Sequence, residues 1–170
     1  MNTKQITTIA LSTALLCIVA PLSIPLSFGV PLSLATLIVM LNSLLLEPKD
    51  ALISTALYLF IGSIGLPVFS NYQAGFSILL GPTGGFLVGY LFLAFFTSFF
   101  DKKWIGMLIG HFFLYSLGAL WFSIISHTPF ISALSLCILP FIPFDSVKCI
   151  LILLLAPTLL HLRKTKQKGR

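Results

Sequence analysis

Apolar positions along the chain gather into six blocks, separated by short polar or proline-bearing breaks. A helix that crosses the hydrocarbon core of a bilayer needs about 20 mostly apolar residues, with a range of about 17 to 25. Six segments approach that length: 5–22, 31–46, 50–65, 84–100, 104–125 and 144–162. The first stops in Pro21-Leu-Ser-Ile-Pro25, where two prolines remove backbone donors. The second opens at Pro31, a favourable first-turn residue, and ends before Glu47-Pro48-Lys49-Asp50, which makes it short for a full crossing. After the third, Gly65 and Pro67 begin the longest stretch without helical character, 65–83. The fourth closes on Asp101-Lys102-Lys103 and the sixth on a basic tail, 163–170. Residues 126–143 are apolar but broken by Pro129, Pro140 and Pro143, so they read as an interfacial loop with one short helix at 130–138, not as a seventh span.

Composition turns these blocks into membrane spans. Hydrophobic residues make up 58% of the 170 and charged residues only 8%, whereas a soluble domain carries about a quarter charged. The mean hydropathy is +1.08. The expectation is an all-α integral membrane protein with six transmembrane helices, forming a single membrane domain over 1–170. A secretory or lipoprotein signal ending at Cys17 is the alternative for the first block, but Leu16 stands where a small residue belongs and no A-x-A site follows. That block is read as a retained helix. Cys17, Cys137 and Cys149 are odd in number and form no C-x-x-C, so they support neither a disulfide framework nor a metal site.

Charge then supplies the orientation. Lys4, Lys49, Lys102, Lys103 and the tail lie at the termini or in the second and fourth connections, while 21–30, 66–83 and 126–144 contain no Lys, Arg, Asp or Glu. The positive-inside rule places both termini in the cytoplasm and the uncharged connections outside. A net charge of +6 does not point to nucleic acid, because five of the ten Lys and Arg fall in the tail, which reads as an anchor to membrane lipid.

Asp145 and Lys148 stand out against this background. They begin the last apolar block in Pro140-Phe-Ile-Pro-Phe-Asp145-Ser-Val-Lys148, and this orientation puts them near the outer surface, facing inward. An Asp or Lys at the centre of a membrane helix costs about 2.5 to 3.5 kcal/mol, so such residues face a cavity and each other. Residues three apart share a helix face. Either the pair holds a polar ligand in a pocket near the extracytoplasmic side, or it is an ion pair that only steadies the helix. The uncharged loop Gly65-Leu-Pro-Val-Phe-Ser-Asn-Tyr-Gln-Ala-Gly75 reads as a pocket cap or an ordinary surface loop. As a cap it offers Asn71, Tyr72 and Gln73 as neutral hydrogen-bonding groups, with Phe69 and Tyr72 as flat apolar surface. Ala10-x-x-x-Ala14, Gly85-x-x-x-Gly89 and Gly106-x-x-x-Gly110 are small-residue pairs that let helices approach closely, within the bundle or against a partner. No G-x-x-x-x-G-K-[ST], H-E-x-x-H or G-x-S-x-G is present. Carboxylates are too few for a proton relay, so energy for transport is expected from another subunit. An intramembrane enzyme using Asp145, Lys148 and His111 would require His111, deep in the fifth block, to reach the outer end of the sixth.

Three blocks carry a resemblance: Gly62-Ser-Ile-Gly-Leu-Pro-Val-Phe69, Leu80-Gly-Pro-Thr-Gly-Gly-Phe-Leu-Val-Gly89 and Leu139-Pro-Phe-Ile-Pro-Phe-Asp145-x-x-Lys148. Their order and spacing resemble the BioY family, the biotin-binding S-components of energy-coupling-factor (ECF) transporters. The resemblance covers nearly the whole chain. It implies a multi-pass subunit of the plasma membrane, the inner membrane in bacteria, that captures biotin and needs no cofactor of its own. It also implies a transmembrane coupling protein and two ATPase subunits as partners, with Ala10 and Ala14 at the contact to the coupling protein and ATP used by the partners. For biotin, Asp145 would accept from a ureido N–H, Asn71 would donate or accept, and Lys148 would donate to the ureido oxygen or the carboxylate. Phe69, Tyr72 and Tyr90 would cover the apolar rings and Thr36 would add a hydroxyl. Two departures touch this pocket: Ser33-Leu-Ala35-Thr36 where the family often has Thr-Leu-Gln-Thr, and Ser70-Asn-Tyr-Gln-Ala-Gly75 where a glycine-rich stretch is common. A close biotin precursor or analogue is therefore the alternative ligand, and a stand-alone carrier for a small anion the alternative function.

Overall fold

Two prolines and a serine decide how the chain enters its central helix. The computed structural model describes residues 2–26 and 30–168, with 161–168 described by backbone alone. After α1 (Thr3–Val19), Pro21 ends the helical run, and β1 (Ser23–Ile24) pairs antiparallel with β2 (Leu32–Ser33), Ser23 opposite Ser33. The helix expected from Pro31 therefore starts later, as α2 (Ala35–Leu45). The Ser33 hydroxyl explains the shift: it accepts from the Ala35 N–H at 3.0 Å while donating to the Ala20 carbonyl at 2.8 Å. With 11 residues, α2 is about 16 Å long, half of what a crossing requires.

The chain continues through α3 (Pro48–Ser63), α4 (Phe76–Leu80), α5 (Gly84–Phe99), α6 (Lys103–Ile125), α7 (Phe130–Cys137) and α8 (Phe141–Lys168). Two features differ from the sequence expectation. The stretch 65–83, expected to lack helix, holds a 3-10 turn at Ser70–Tyr72 and the single helical turn of α4. Phe76-Ser-Ile-Leu-Leu80 is too short for periodicity to register. The last helix begins three residues before 144, because Pro143 lies in its first turn, where a missing N–H removes no helical hydrogen bond. Among the described residues, α6 and the 141–160 part of α8 are long and apolar enough to cross a membrane, while α1, α2 and α5 are shorter apolar helices.

Glycine brings α5 and α6 together. A Cβ placed on Gly110 would lie 2.9 Å from Leu93 Cα, and one on Gly89 would lie 2.7 Å from Leu114 Cδ1. Both Gly-x-x-x-Gly pairs are thus used up inside the bundle, backbone against backbone. Gly110→Leu should destabilise the fold by about 3 kcal/mol or more, since neither backbone can withdraw, and a thermal unfolding series in detergent would read it.

The alanine pair on α1 is placed differently. Ile9, Ser12, Thr13 and Leu16 form the buried face of that helix. Asn42 Nδ2 donates to Ser12 O at 3.0 Å, Gln5 Nε2 donates to Asp50 Oδ1 at 2.7 Å, and Thr13 Oγ1 lies 3.2 Å from Ser54 O. Ala10 and Ala14 fall on the opposite, exposed face. Around the bundle many large apolar side chains are also exposed, Phe112 at 67% and Leu154 at 74% among them, as a surface against lipid requires.

Candidate functional site

The first turns of α8 present Asp145 and Lys148 to a gap between α2 and α6. Their spacing sets both on one face, and Lys148 Nζ bonds Asp145 Oδ1 at 2.8 Å. The ammonium also donates to Thr36 Oγ1 at 2.9 Å and to the Ser33 carbonyl at 2.7 Å, so all three of its hydrogens are used. Thr36 donates to Asp145 Oδ1 at 3.0 Å, and Tyr115 on α6 donates to Asp145 Oδ2 at 2.7 Å. Asp145 is 3% exposed, yet it meets a counter-ion and two hydroxyls. Such pairing is what makes a buried charge tolerable.

This geometry corrects one sequence expectation. The pair lies beside His111 and Tyr115 on α6. His111 does reach it, with Nε2 4.0 Å from Asp145 Oδ2. The distance argument against His111 failed because the early start of α8 and the turn after α7 set Asp145 deeper along α6 than the block boundaries implied.

Tyr115 and the Ser33 carbonyl were not anticipated. Tyr115 carried a readable signal: it stands four residues after His111, so the two polar rings share one face of an otherwise apolar helix. No side-chain pattern announces a backbone carbonyl. Tyr115→Phe removes one hydrogen bond to an ionised acceptor, and ligand affinity should fall about tenfold or more by titration calorimetry.

A cleft of about 330 Å³ opens beside the pair, lined by Thr36, Phe86, Tyr90, Tyr115, Phe141, Asp145 and Lys148 among others. A second, of about 340 Å³, shares Val30, Pro31, Phe86 and Tyr90 with it and extends to Phe69 and Gln73. Apolar walls with a few convergent polar groups are the usual make-up of a small-molecule site. Of the residues singled out from sequence, Thr36, Tyr90, Asp145 and Lys148 meet at the first cleft and Phe69 at the second. Phe69 is held edge-on against Tyr58, with centroids 5.6 Å apart.

Asn71 and Tyr72 lie elsewhere. They line a third cleft of about 760 Å³ on the hairpin side, which shares only Ser33 and Lys148 with the first. Both residues are left-handed, with φ of 57° and 59°. The Asn71 amide oxygen is taken by the Ser23 hydroxyl at 2.9 Å, and the same hydroxyl accepts from the Asn71 N–H at 2.8 Å. The turn is thereby fastened to β1, in a cleft that Lys148 also lines.

Known proteins resemble the chain over nearly all of its described length. The BioY family profile matches residues 1–165. The chain is 34% identical to biotin transporter BioY2 of Lactococcus lactis over 161 residues, covering 89% of this chain and 88% of that one. It is 36% identical to biotin transporter BioY of the same organism over 181 aligned residues, covering 98% and 92%. The crystal structure of an S-component for biotin from an ECF-type ABC transporter superposes with a TM-score of 0.83 at 34% identity, covering 96% of this chain and 95% of that one. With the sequence profile and the fold shared over nearly the full length, the chain belongs to the BioY family.

Proposed function

We propose that the chain is the biotin-capturing S-component of an ECF-type ABC transporter. One observation carries the reading: an Asp145–Lys148 pair held by Thr36, Tyr115 and the Ser33 carbonyl, buried in an apolar bundle beside an apolar-walled cleft, on a fold shared with a biotin S-component. The family is one of transporters, which sets aside an enzyme even though His111 stands near the pair. Biotin's ureido ring offers two N–H donors and an oxygen acceptor. Asp145 takes an N–H, Lys148 gives to an oxygen by exchanging one of its three present acceptors for the ligand, Thr36 and Tyr115 hold the Asp145 carboxylate in place, and Tyr90, Phe86 and Phe69 cover the apolar rings. Asn71 and Tyr72 join them only if ligand draws the turn at Ser70–Tyr72 inward.

Six crossings with both termini in the cytoplasm, and a pocket reached from outside, are the topology that the charge distribution supports. The membrane is the plasma membrane. Transport runs through a transmembrane coupling protein and two ATPase subunits, and the exposed Ala10–Ala14 face suits that contact. Mass spectrometry on gently purified protein should find biotin, and vesicle uptake should require ATP and the partner subunits. Uptake by the chain alone would overturn the dependence on partners. A different extracted ligand would overturn the assignment of biotin.

A further inference from the structure

Asp145 has a limited number of hydrogen-bonding positions, and nearly all are occupied. An ionised carboxylate accepts at about four lone-pair positions. Thr36 and Lys148 take Oδ1 and Tyr115 takes one position on Oδ2, which leaves a single acceptor direction. Beside it, at 4.0 Å, lies His111 Nε2, buried and without a hydrogen-bond partner among the described residues. The other ring nitrogen fixes the tautomer: Nδ1 is 2.8 Å from the Met107 carbonyl, which only accepts, so Nδ1 carries the hydrogen. In the neutral ring Nε2 is then a bare acceptor, and it leaves the last position on Oδ2 free. A proton on Nε2 turns it into a donor 4.0 Å from Oδ2, a gap that a small shift of the ring closes.

We propose that His111 is a positioning residue that controls the free acceptor on Asp145: the neutral ring leaves Oδ2 to an N–H of the ligand, and the protonated ring occupies it. This rests on the reading above that a ureido N–H bonds Asp145. Binding should therefore be linked to proton release from His111, with affinity falling as pH falls.

The neighbouring groups leave few competing explanations. On α6 itself the facing titratable group is Tyr115; α5 carries only Tyr90, α7 only Cys137, and the described side chains of α8 supply Asp145, Lys148 and Cys149.

The experiment is biotin titration calorimetry on the purified full-length protein at pH 8 and pH 5.5, read as the ratio of the two dissociation constants. The wild type should bind roughly tenfold more weakly at the lower pH, the effect of one hydrogen bond to a charged group. In His111→Phe the ratio should fall to about one. His111→Gln presents an amide that donates to Asp145 at every pH, so its ratio should also be about one, with affinity resembling the wild type's at pH 5.5. A wild-type ratio near one, or the same pH dependence in either variant, overturns the proposal. Biotin binding by the wild type at pH 8 separately tests the ligand assignment, so the two readings fail independently.

Discussion

Lys148→Ala and Asp145→Asn should each weaken biotin binding about 30-fold or more, from the 2 to 5 kcal/mol that truncating one member of a buried charged pair costs. Removing the ammonium strips Asp145 of the counter-ion bonded to it while leaving the carboxylate buried, and it also frees the Ser33 carbonyl and Thr36. Removing the negative charge leaves the ammonium equally exposed to the apolar walls. Both variants should also unfold at lower temperature, so a stability loss alone cannot separate a ligand site from a structural ion pair. The double variant Asp145→Asn with Lys148→Met does separate them. Replacing both charges together relieves the unpaired burial and recovers stability, yet it cannot recover recognition. Calorimetry on the single and double variants decides. Near-normal affinity in the folded double variant would make the pair a helix brace and nothing more.

Ala10→Trp or Ala14→Trp should abolish uptake while leaving biotin binding by the isolated chain intact. Both side chains lie on the face of α1 opposite its buried residues, so a large ring there meets no neighbour within the subunit. A helix from a coupling protein, by contrast, could no longer approach closely. Co-purification of the complex should fail in step with uptake. Equal loss of binding would show that this face acts within the bundle.

The two small-residue motif types illustrate what the sequence made legible. Spacing alone could not tell Ala-x-x-x-Ala on α1 from the two Gly-x-x-x-Gly pairs. The contacts of Gly89 and Gly110 separate them: the glycines are consumed by α5 against α6, and the alanines are left outside. Hydropathy located Asp145 and Lys148, because a charge in an apolar block has few places to go. It could not fix their depth, which depends on how far α7 and the following turn carry the chain back along α6. Asn71 was expected at the ligand because it is the amide of an uncharged loop. The position of its turn was not legible, because it depends on Ser23, 48 residues earlier, whose hydroxyl holds Asn71 from two directions. Pro31 looked like a helix start until a partner strand claimed the two residues after it.

The ion pair is local, but its company is distant. Asp145 and Lys148 meet within one turn, whereas Thr36 and Ser33 lie 109 and 115 positions away along the chain. During synthesis the last helix would thus reach the bilayer already self-neutralised, which lowers the penalty of inserting two charges. The Thr36 hydroxyl and the Ser33 carbonyl that receive it must wait until that helix has emerged.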